Sequence, residues 1–458
     1  MPTMRNLYHS VLAAIVLMLG CSGPALAFDS LLAAWRSALR SDRIYLAAEA
    51  QQRSVQEKLP QARAGLLPSI TANANRVNNS AQVDYEGASF ANTDRQFVTR
   101  SWTLSLSQPL FRMSNFLQYG RAQLQVEQSA IQLEASRYDL MLRMTKALLD
   151  WQTALRTKEA TELAKHYAEA AAAQARSRRA LQRLTVPDLL DVEARLKKAE
   201  ADALDAAGDL KVKAAALAKV LGVTAAPALF AFKPLPWPEI QGAVEQWVAQ
   251  AQERNPMVRY AALQVAMADK DVNTARSAHL PNVNLVMNKM YAYNSGGLAL
   301  VEGAVPSTTN QTSIGIQLDM PIFSGGATNS RVAEMIALRD KANEDLENAR
   351  GNAAVDTQAN YFKAQAGLAQ IQAAEMKVRA AEEELQGVKA GMSVKTKLEL
   401  DALGAEMQLL AAKRDYFRAQ ADTMVSVLQL RQVSGELSDA DLEVWSSMFL
   451  LEARLAPN

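Results

Sequence analysis

Four carboxylates fall in two matched pairs, Asp188 with Asp191 and Glu399 with Asp401, each pair a few residues beyond a threonine, Thr185 or Thr396. Carboxylates gathered in this way attract cations. Asp and Glu are also favoured at a helix start by capping and by the macrodipole, and the sequence leaves both readings open. A basic set, Arg176, Arg178, Arg179, Arg183, Lys389, Lys395 and Lys397, flanks the two places, either as solvated helix ends or as a surface that docks a partner. The sequence contains no phosphate-binding loop, nucleophile motif or metal-ligand cluster. It therefore points away from catalysis and from any metal or cofactor. Beyond the leader there is no cysteine, and His166 and His279 stand far apart without ligand spacing.

The elements that would hold these charges are long helices. From Arg121 to Val186 there is neither Gly nor Pro, and Val126, Ala130, Leu133, Leu140, Met144, Ala147 and Trp151 recur in steps of four and three, with Arg137 interrupting once. A helix from about Phe116 to Leu181 would be on the order of 100 Å long at about 1.5 Å per residue. Thr185-Val186-Pro187-Asp188 has the spacing of a capping box. A return helix is expected from there, with Leu189, Val192, Leu196, Ala199, Ala203, Ala206, Leu210, Leu217 and Val220 as its seam and Gly222 as its end. Upstream, Ser30 to Leu66 reads as one helix stopped by Pro68.

Between them the period is two. Ile70, Ala72 and Ala74 oppose Thr71, Asn73 and Asn75, while Trp102, Leu104 and Leu106 oppose Thr103, Ser105 and Ser107. The strand pattern is expected to give way to helix at Pro109.

After a proline-containing linker the whole arrangement recurs. Leu280-Pro281 falls 213 residues after Leu67-Pro68, Pro321-Ile322-Phe323 falls 212 after Pro109-Leu110-Phe111, and Thr396 falls 211 after Thr185. Three landmarks whose offsets agree within two residues mark an internal duplication. In the second copy Ile316, Leu318 and Met320 oppose Gly315, Gln317 and Asp319, and Val283, Leu285, Met287, Tyr291 and Tyr293 form another alternating face. Its long helix is expected to pack through Val355, Ala359, Phe362, Ala366, Ala369, Ala373, Met376 and Ala380, and its return helix through Leu400, Leu403, Met407, Leu410, Phe417, Met424 and Leu428. The expected divisions are a signal peptide at 1–27, a first repeat at 28–222 with its hairpin at about 69–108, and a linker at 223–241. A second repeat follows at 242–435 with its hairpin at about 282–320, then a tail at 436–458.

Arg5, the apolar run Val11–Leu19 and Ala25-Leu26-Ala27 form an export signal with cleavage expected after Ala27. Lipidation at Cys21 is the weaker alternative, because Met18-Leu19 fits a lipoprotein site poorly. The net charge of +1 carries no nucleic-acid footprint. The chain is 49% hydrophobic but only 6% aromatic, which favours thin helical packing over one large core. Past the leader no apolar run is long enough for a membrane helix, so a membrane form must be a barrel. Four strands cannot close one, and an open edge in lipid leaves backbone groups unsatisfied. Two chains would supply eight strands and three would supply twelve. Tyr85, Phe97, Trp102, Tyr291 and Tyr293 are candidate positions for an interfacial aromatic belt.

Pro68, Pro109, Pro281 and Pro321 sit where strand meets helix at all four joins. With Ala62–Pro68 and Ala275–Pro281, the joins at Ser107–Phe111 and Leu318–Gly326, and the returns at Thr185–Ala194 and Thr396–Glu406, essentially the whole mature chain resembles the TolC family of outer-membrane channels. The resemblance implies an α+β membrane protein, a homotrimer. Its 12-stranded β-barrel, in contact with outer-membrane lipid, would continue into a long periplasmic α-helical coiled-coil barrel. It further implies a passive exit duct fed by an inner-membrane pump, an ABC exporter or a proton-driven one, through a periplasmic membrane-fusion adaptor.

Leu-Ser-Gln-Pro-Leu-Phe looks most like the branch serving type I protein secretion, with drug efflux as the alternative. A periplasmic structural or adaptor coiled coil is the alternative from another class. By the resemblance, Asp188, Asp191, Glu399 and Asp401 would form an acidic ring at the periplasmic gate. Arg179, Arg183, Leu184, Thr185, Gly391, Lys395, Thr396 and Lys397 would meet the adaptor. The family's turn often carries Val-Gly before the hydroxyl residue; Arg183-Leu184 and Val394-Lys395 stand there instead, which suggests a more basic docking surface.

Overall fold

The computed structural model describes residues 30–83, 93–222, 230–233, 237, 240–296, 305–394 and 396–451. The expected leader with Cys21, Tyr85, most of both hairpin tips, Pro227, Pro234, Pro236, Pro238 and Lys395 lie outside the described residues. In chain order the elements are α1 (Leu31–Ser41), α2 (Arg43–Gln56), α3 (Lys58–Ala64), β1 (Ser69–Val83), β2 (Thr93–Phe111), α4 (Met113–Ala180), α5 (Val186–Leu221) and β3 (Phe230–Phe232). Then come α6 (Val244–Arg254), α7 (Pro256–Ser277), β4 (Asn282–Asn294), β5 (Ser307–Asp319), α8 (Ala327–Ser393), α9 (Glu399–Ser434), α10 (Asp439–Ser447) and β6 (Phe449–Leu451). Helix is the majority, and among the described residues no helix is long and apolar enough to cross a membrane.

Two compact units are distinguished, one made of Ala50–Gln132 with Arg259–Ala349 and the other of the chain up to Glu49, Leu133–Val258 and Arg350 onward. The first holds a four-stranded antiparallel sheet in the order β1-β2-β4-β5. The two hairpins are thus joined through β2 and β4, leaving β1 and β5 as edges. Gln108 Nε2 ties the sheet to the turn after α3 by donating to the Leu66 carbonyl at 3.0 Å.

The second unit is helical around a core that includes Leu31, Trp35, Leu140, Met141, Met144, Leu148, Met424 and Leu428. Arg137, which interrupts the apolar spacing of α4, lies 5.9 Å over the Trp35 ring and pairs with Asp439 at 2.6 Å. Trp35 Nε1 donates to the same carboxylate at 3.1 Å. The interruption is therefore a polar clamp between α1, α4 and α10. β3, from the linker, pairs antiparallel with β6, from the tail. Around it Phe232, Trp237, Phe417, Phe449 and Trp445 make successive ring contacts at 4.9–5.5 Å.

The single helix expected over Ser30–Leu66 is three. At Asp42 the backbone is extended, and its carboxylate accepts the Tyr45 amide at 2.8 Å, so it ends α1 and caps α2. The second break, at Glu57, precedes Pro60, whose missing N–H cannot bond the Gln56 carbonyl.

A second correction concerns α8. Val355, Phe362 and Met376 of the expected seam are 65%, 55% and 62% exposed. The α8 residues buried within the chain include Met335, Ala353, Thr357, Ala364, Ile371, Ala381 and Leu385. The buried stripe mixes small and large side chains, and Val355, Phe362 and Met376 lie off it. On α5, by contrast, the expected positions Leu196, Ala203, Ala206, Leu217 and Val220 are buried.

Candidate functional site

Cross-strand register sorts the sheet into two faces, because residues directly opposite one another point to the same side. Ile70, Leu106, Met287 and Ile314 form one continuous row, and Ala72, Leu104, Lys289 and Thr312 the next. On the other side Thr71, Ser105, Asn288 and Ser313 form a row, followed by Asn73, Thr103, Met290 and Gln311. Thr103, Ser105, Ser107, Gln317 and Asp319, expected to be wet together, do share a face. Exposure is inverted relative to a water-soluble sheet. Trp102, Leu104, Ile314, Ile316 and Leu318 are exposed, whereas Ser101, Thr103, Ser105 and Asn288 are partly shielded and Asn284 is buried. The inversion is confined to the central strands, since β5 is exposed on both faces and β1 almost entirely so.

Trp102 and Tyr291 stack on the apolar face with ring centroids 6.2 Å apart and planes 11° from parallel. Tyr293, opposite Arg100, joins them, but Phe97 falls on the polar side with Thr99 and Thr103. That corrects the expectation for Phe97: its odd register carries it away from the other aromatics.

Nor are the four proline joins equivalent. Pro68 and Pro281 directly precede β1 and β4, and Pro321 follows the end of β5, but β2 continues through Pro109 to Phe111. The register slips between Pro109 and Phe111. β1 pairs only as far as Ser107, so Pro109 has no β1 neighbour requiring an N–H.

At the first helix return, α4 closes with Gln182 at φ 57°. The Arg183 amide donates to the Arg178 carbonyl and the Gln182 amide to the Arg179 carbonyl, both at 2.9 Å, which is a Schellman closure with Gln where Gly is usual. Arg179 Nη1 then donates to the Leu184 carbonyl at 3.1 Å. Thr185 caps α5, accepting the Asp188 amide at 3.3 Å, while its hydroxyl donates to the Asp188 carboxylate. Asp191 pairs with Arg195 at 2.9 Å, and Arg176 with Glu193 at 2.9 Å.

The second return is built differently, and the capping box expected at Thr396 does not form. The Gly391 carbonyl accepts the Thr396 amide and hydroxyl, each at 2.9 Å, and the Lys397 amide at 3.3 Å. This close turn needs Gly391, since a Cβ there would meet Lys397 Cγ at 2.7 Å. The N-cap shifts to Leu398, whose amide donates to the Asp401 carboxylate at 2.9 Å. Asp188, Asp191 and Asp401 thus all take capping or ion-pair roles, and Glu399 is the first residue of α9. Exposed apolar residues stand beside these charges, Leu181, Val186, Leu190, Val394 and Leu398.

Elsewhere in the helical unit, two carboxylates are strongly held. Burial pushes the Asp42 carboxyl up, but the Arg143 guanidinium at 2.9 Å and the Tyr45 amide outweigh it and hold it below its ordinary value. Asp415 is lowered against burial in the same way by Arg414 and Lys377. Among the described residues no group of His, Cys, Asp and Glu could hold a metal ion.

The profile of one protein family, described as outer membrane efflux protein, matches residues 35–223 and again 247–436. The chain belongs to the outer membrane efflux protein family. It is 27% identical over 431 residues to the outer membrane protein TolC of Vibrio cholerae, covering 93% of this chain and 94% of that protein. It is 26% identical over 466 residues to the alkaline protease secretion protein AprF of Pseudomonas aeruginosa, covering 98% and 92%. The fold matches the crystal structure of the Campylobacter jejuni CmeC outer membrane channel with a TM-score of 0.70 at 15% identity, covering 92% of this chain and 89% of that one. The protein is therefore an outer-membrane channel component reaching into the periplasm, and not an enzyme. Membership of this family sets aside the adaptor alternative.

Proposed function

We propose that three copies of the chain close a 12-stranded barrel continuous with a helical tunnel, the exit duct of a tripartite exporter. The observation that carries this reading is the inversion on the central strands, where β2 and β4 expose apolar side chains and partly shield polar ones, together with two free edges at β1 and β5. In hydrocarbon those edges would strand backbone donors and acceptors, so the sheet must continue into other copies. The exposed seam of α8 supports the same assembly, because Val355, Phe362 and Met376 offer a second packing face to a neighbouring helix. The duplicated order of helix, hairpin, long helix and return helix supplies two equivalent staves per chain.

The polar face, with Thr103, Ser105, Ser107, Gln317 and Asp319, would line the lumen. Conduction is passive, with energy supplied by an inner-membrane ABC exporter acting through a periplasmic membrane-fusion adaptor. Arg179, Arg183, Leu184, Thr185, Gly391, Lys395, Thr396 and Lys397 would receive that adaptor, and Asp188, Asp191, Glu399 and Asp401 would ring the gate. Similarity to a relative named for alkaline protease secretion favours protein cargo. Small-molecule efflux is the second reading, favoured by the family description. Cells lacking this chain distinguish them. Type I secretion predicts loss of an ABC-exported protein from the medium with unchanged drug sensitivity, and efflux predicts the reverse. A purified protein that is monomeric in mild detergent and silent in planar bilayers would overturn the duct itself.

A further inference from the structure

We propose that the apolar side of the sheet carries a docking site for the phosphorylated headgroup of a membrane lipid, built on Arg76 and Arg100. The inference rests on the membrane-barrel reading. Arg76, Arg100, Tyr293 and Thr308 are consecutive cross-strand partners, so four side chains able to donate hydrogen bonds cross all four strands at one level. They share the face of Ile70, Leu104 and Ile314, one row beyond the stacked Trp102 and Tyr291.

Their height is set by the strands. From Val283 to Tyr291 the apolar face runs about 27 Å along β4 and, at a tilt of about 40°, spans about 21 Å of depth, close to the apolar band of an outer-membrane barrel. The next row therefore lies at headgroup level. An aromatic pair directly beneath it fits the belt that marks this boundary.

The row holds no carboxylate, and neither do the adjacent rows of Asn78 with Val98 and of Ala74, Trp102, Tyr291 and Asn310. Two arginines directly opposite each other repel, and a phosphate monoester seated between them converts that repulsion into paired charge-assisted hydrogen bonds. Lys289 sits one row below the aromatics within the apolar band. A charge there is costly in lipid, and its stem lets the ammonium snorkel up to the row of Trp102 and Tyr291, just below the arginines. Charge complementarity selects an anion, and the apolar band beneath selects one with acyl chains, hence a phosphorylated lipid rather than a soluble phosphate.

The test uses the full-length protein in phosphatidylcholine nanodiscs titrated with diphosphoryl lipid A or its dephosphorylated form, following the midpoint of thermal dissociation. Only the phosphorylated lipid should raise that midpoint. R76Q/R100Q should need at least tenfold more of it, and R76K/R100K should recover most of the effect. Equal responses to the two lipids, or an unshifted titration in R76Q/R100Q, overturn the proposal, as does the same stabilisation by millimolar inorganic phosphate, which would mark a free-anion site. If the double variant fails to assemble, the wild-type comparison of the two lipids still decides. A protein that conducts in bilayers yet shows no lipid preference refutes this site alone; one that neither inserts nor conducts refutes the membrane reading beneath it.

Discussion

Both return helices end on a glycine in the left-handed region, Gly222 at φ 67° and Gly435 at φ 74°, and the two differ in what a methyl group would strike. A Cβ at Gly435 would lie 2.4 Å from the Arg254 carbonyl oxygen and 2.8 Å from its carbon. That obstacle is backbone, fixed by the Asn255 amide's bond to the Ala251 carbonyl and by Asn255 Nδ2 donating to Val433. At Gly222 the obstacle is the Ser41 side chain, with Cβ at 2.3 Å and Oγ at 2.8 Å. Left-handed backbone costs an alanine about 1 kcal/mol, and overpacking adds about 1–3 kcal/mol, so G222A and G435A should each destabilise by about 2–4 kcal/mol. At about 2 °C per kcal/mol for a body of this size, each melting midpoint should fall by roughly 4–8 °C in far-UV circular dichroism.

The two variants part in a double-mutant cycle. S41G removes the obstacle at Gly222, so S41G/G222A should be more stable than the sum of the single losses by about 1–3 kcal/mol. Truncating Arg254 to alanine leaves its carbonyl in place and should rescue little of G435A. Additive losses at Gly222, or a G435A protein that melts with wild type, would refute the steric argument.

Other expectations follow from the returns and the clamps. Gln182→Gly should stabilise by about 1 kcal/mol, since it relieves a non-glycine residue at positive φ, read as a higher melting midpoint. Thr185→Ala should fray α5 by about 1 kcal/mol, whereas in the second return Asp401→Ala should fray α9 and Thr396→Ala should not affect that cap; amide exchange in the first turns distinguishes them. Asp42 has a folded pKa below its ordinary value of 3.8. Its pairing therefore stabilises at higher pH and is lost as pH falls below about 3.8 through the lowered folded value. D42N should flatten that acid limb in melts between pH 2 and 5. Replacing Asp188 and Glu399 together by Ala should change conductance or cation preference in planar bilayers, and unchanged currents would remove the acidic-gate reading.

Local chemistry was legible along the chain. Alternation in β1, β2, β4 and β5, the Gly- and Pro-free run of α4 and the Thr185 cap all depend on residues within a few positions, where steric limits and hydrogen bonding act directly. Thr396 has the spacing of a cap but does not act as one, because Gly391 permits a closer turn that depends on backbone geometry. Asp42 looked like one polar position inside a helix, because its partner Arg143 is 101 residues away. Arg137 looked like a flaw in a seam until Asp439 and Trp35 supplied its partners.

By itself the sequence determined the period of the long helices and of the four long strands, and which strand face is apolar, but not the breaks at Asp42 and Glu57 or the run of β2 through Pro109. Only the tertiary structure decided that β2 pairs with β4, that the apolar side is the more exposed one on those central strands, and that α8 buries Ala353, Ala364 and Ile371 while Phe362 and Met376 stay outside. The reason is physical. Periodicity states that a face is apolar, whereas what covers that face is set by register and by contacts between residues far apart in the chain.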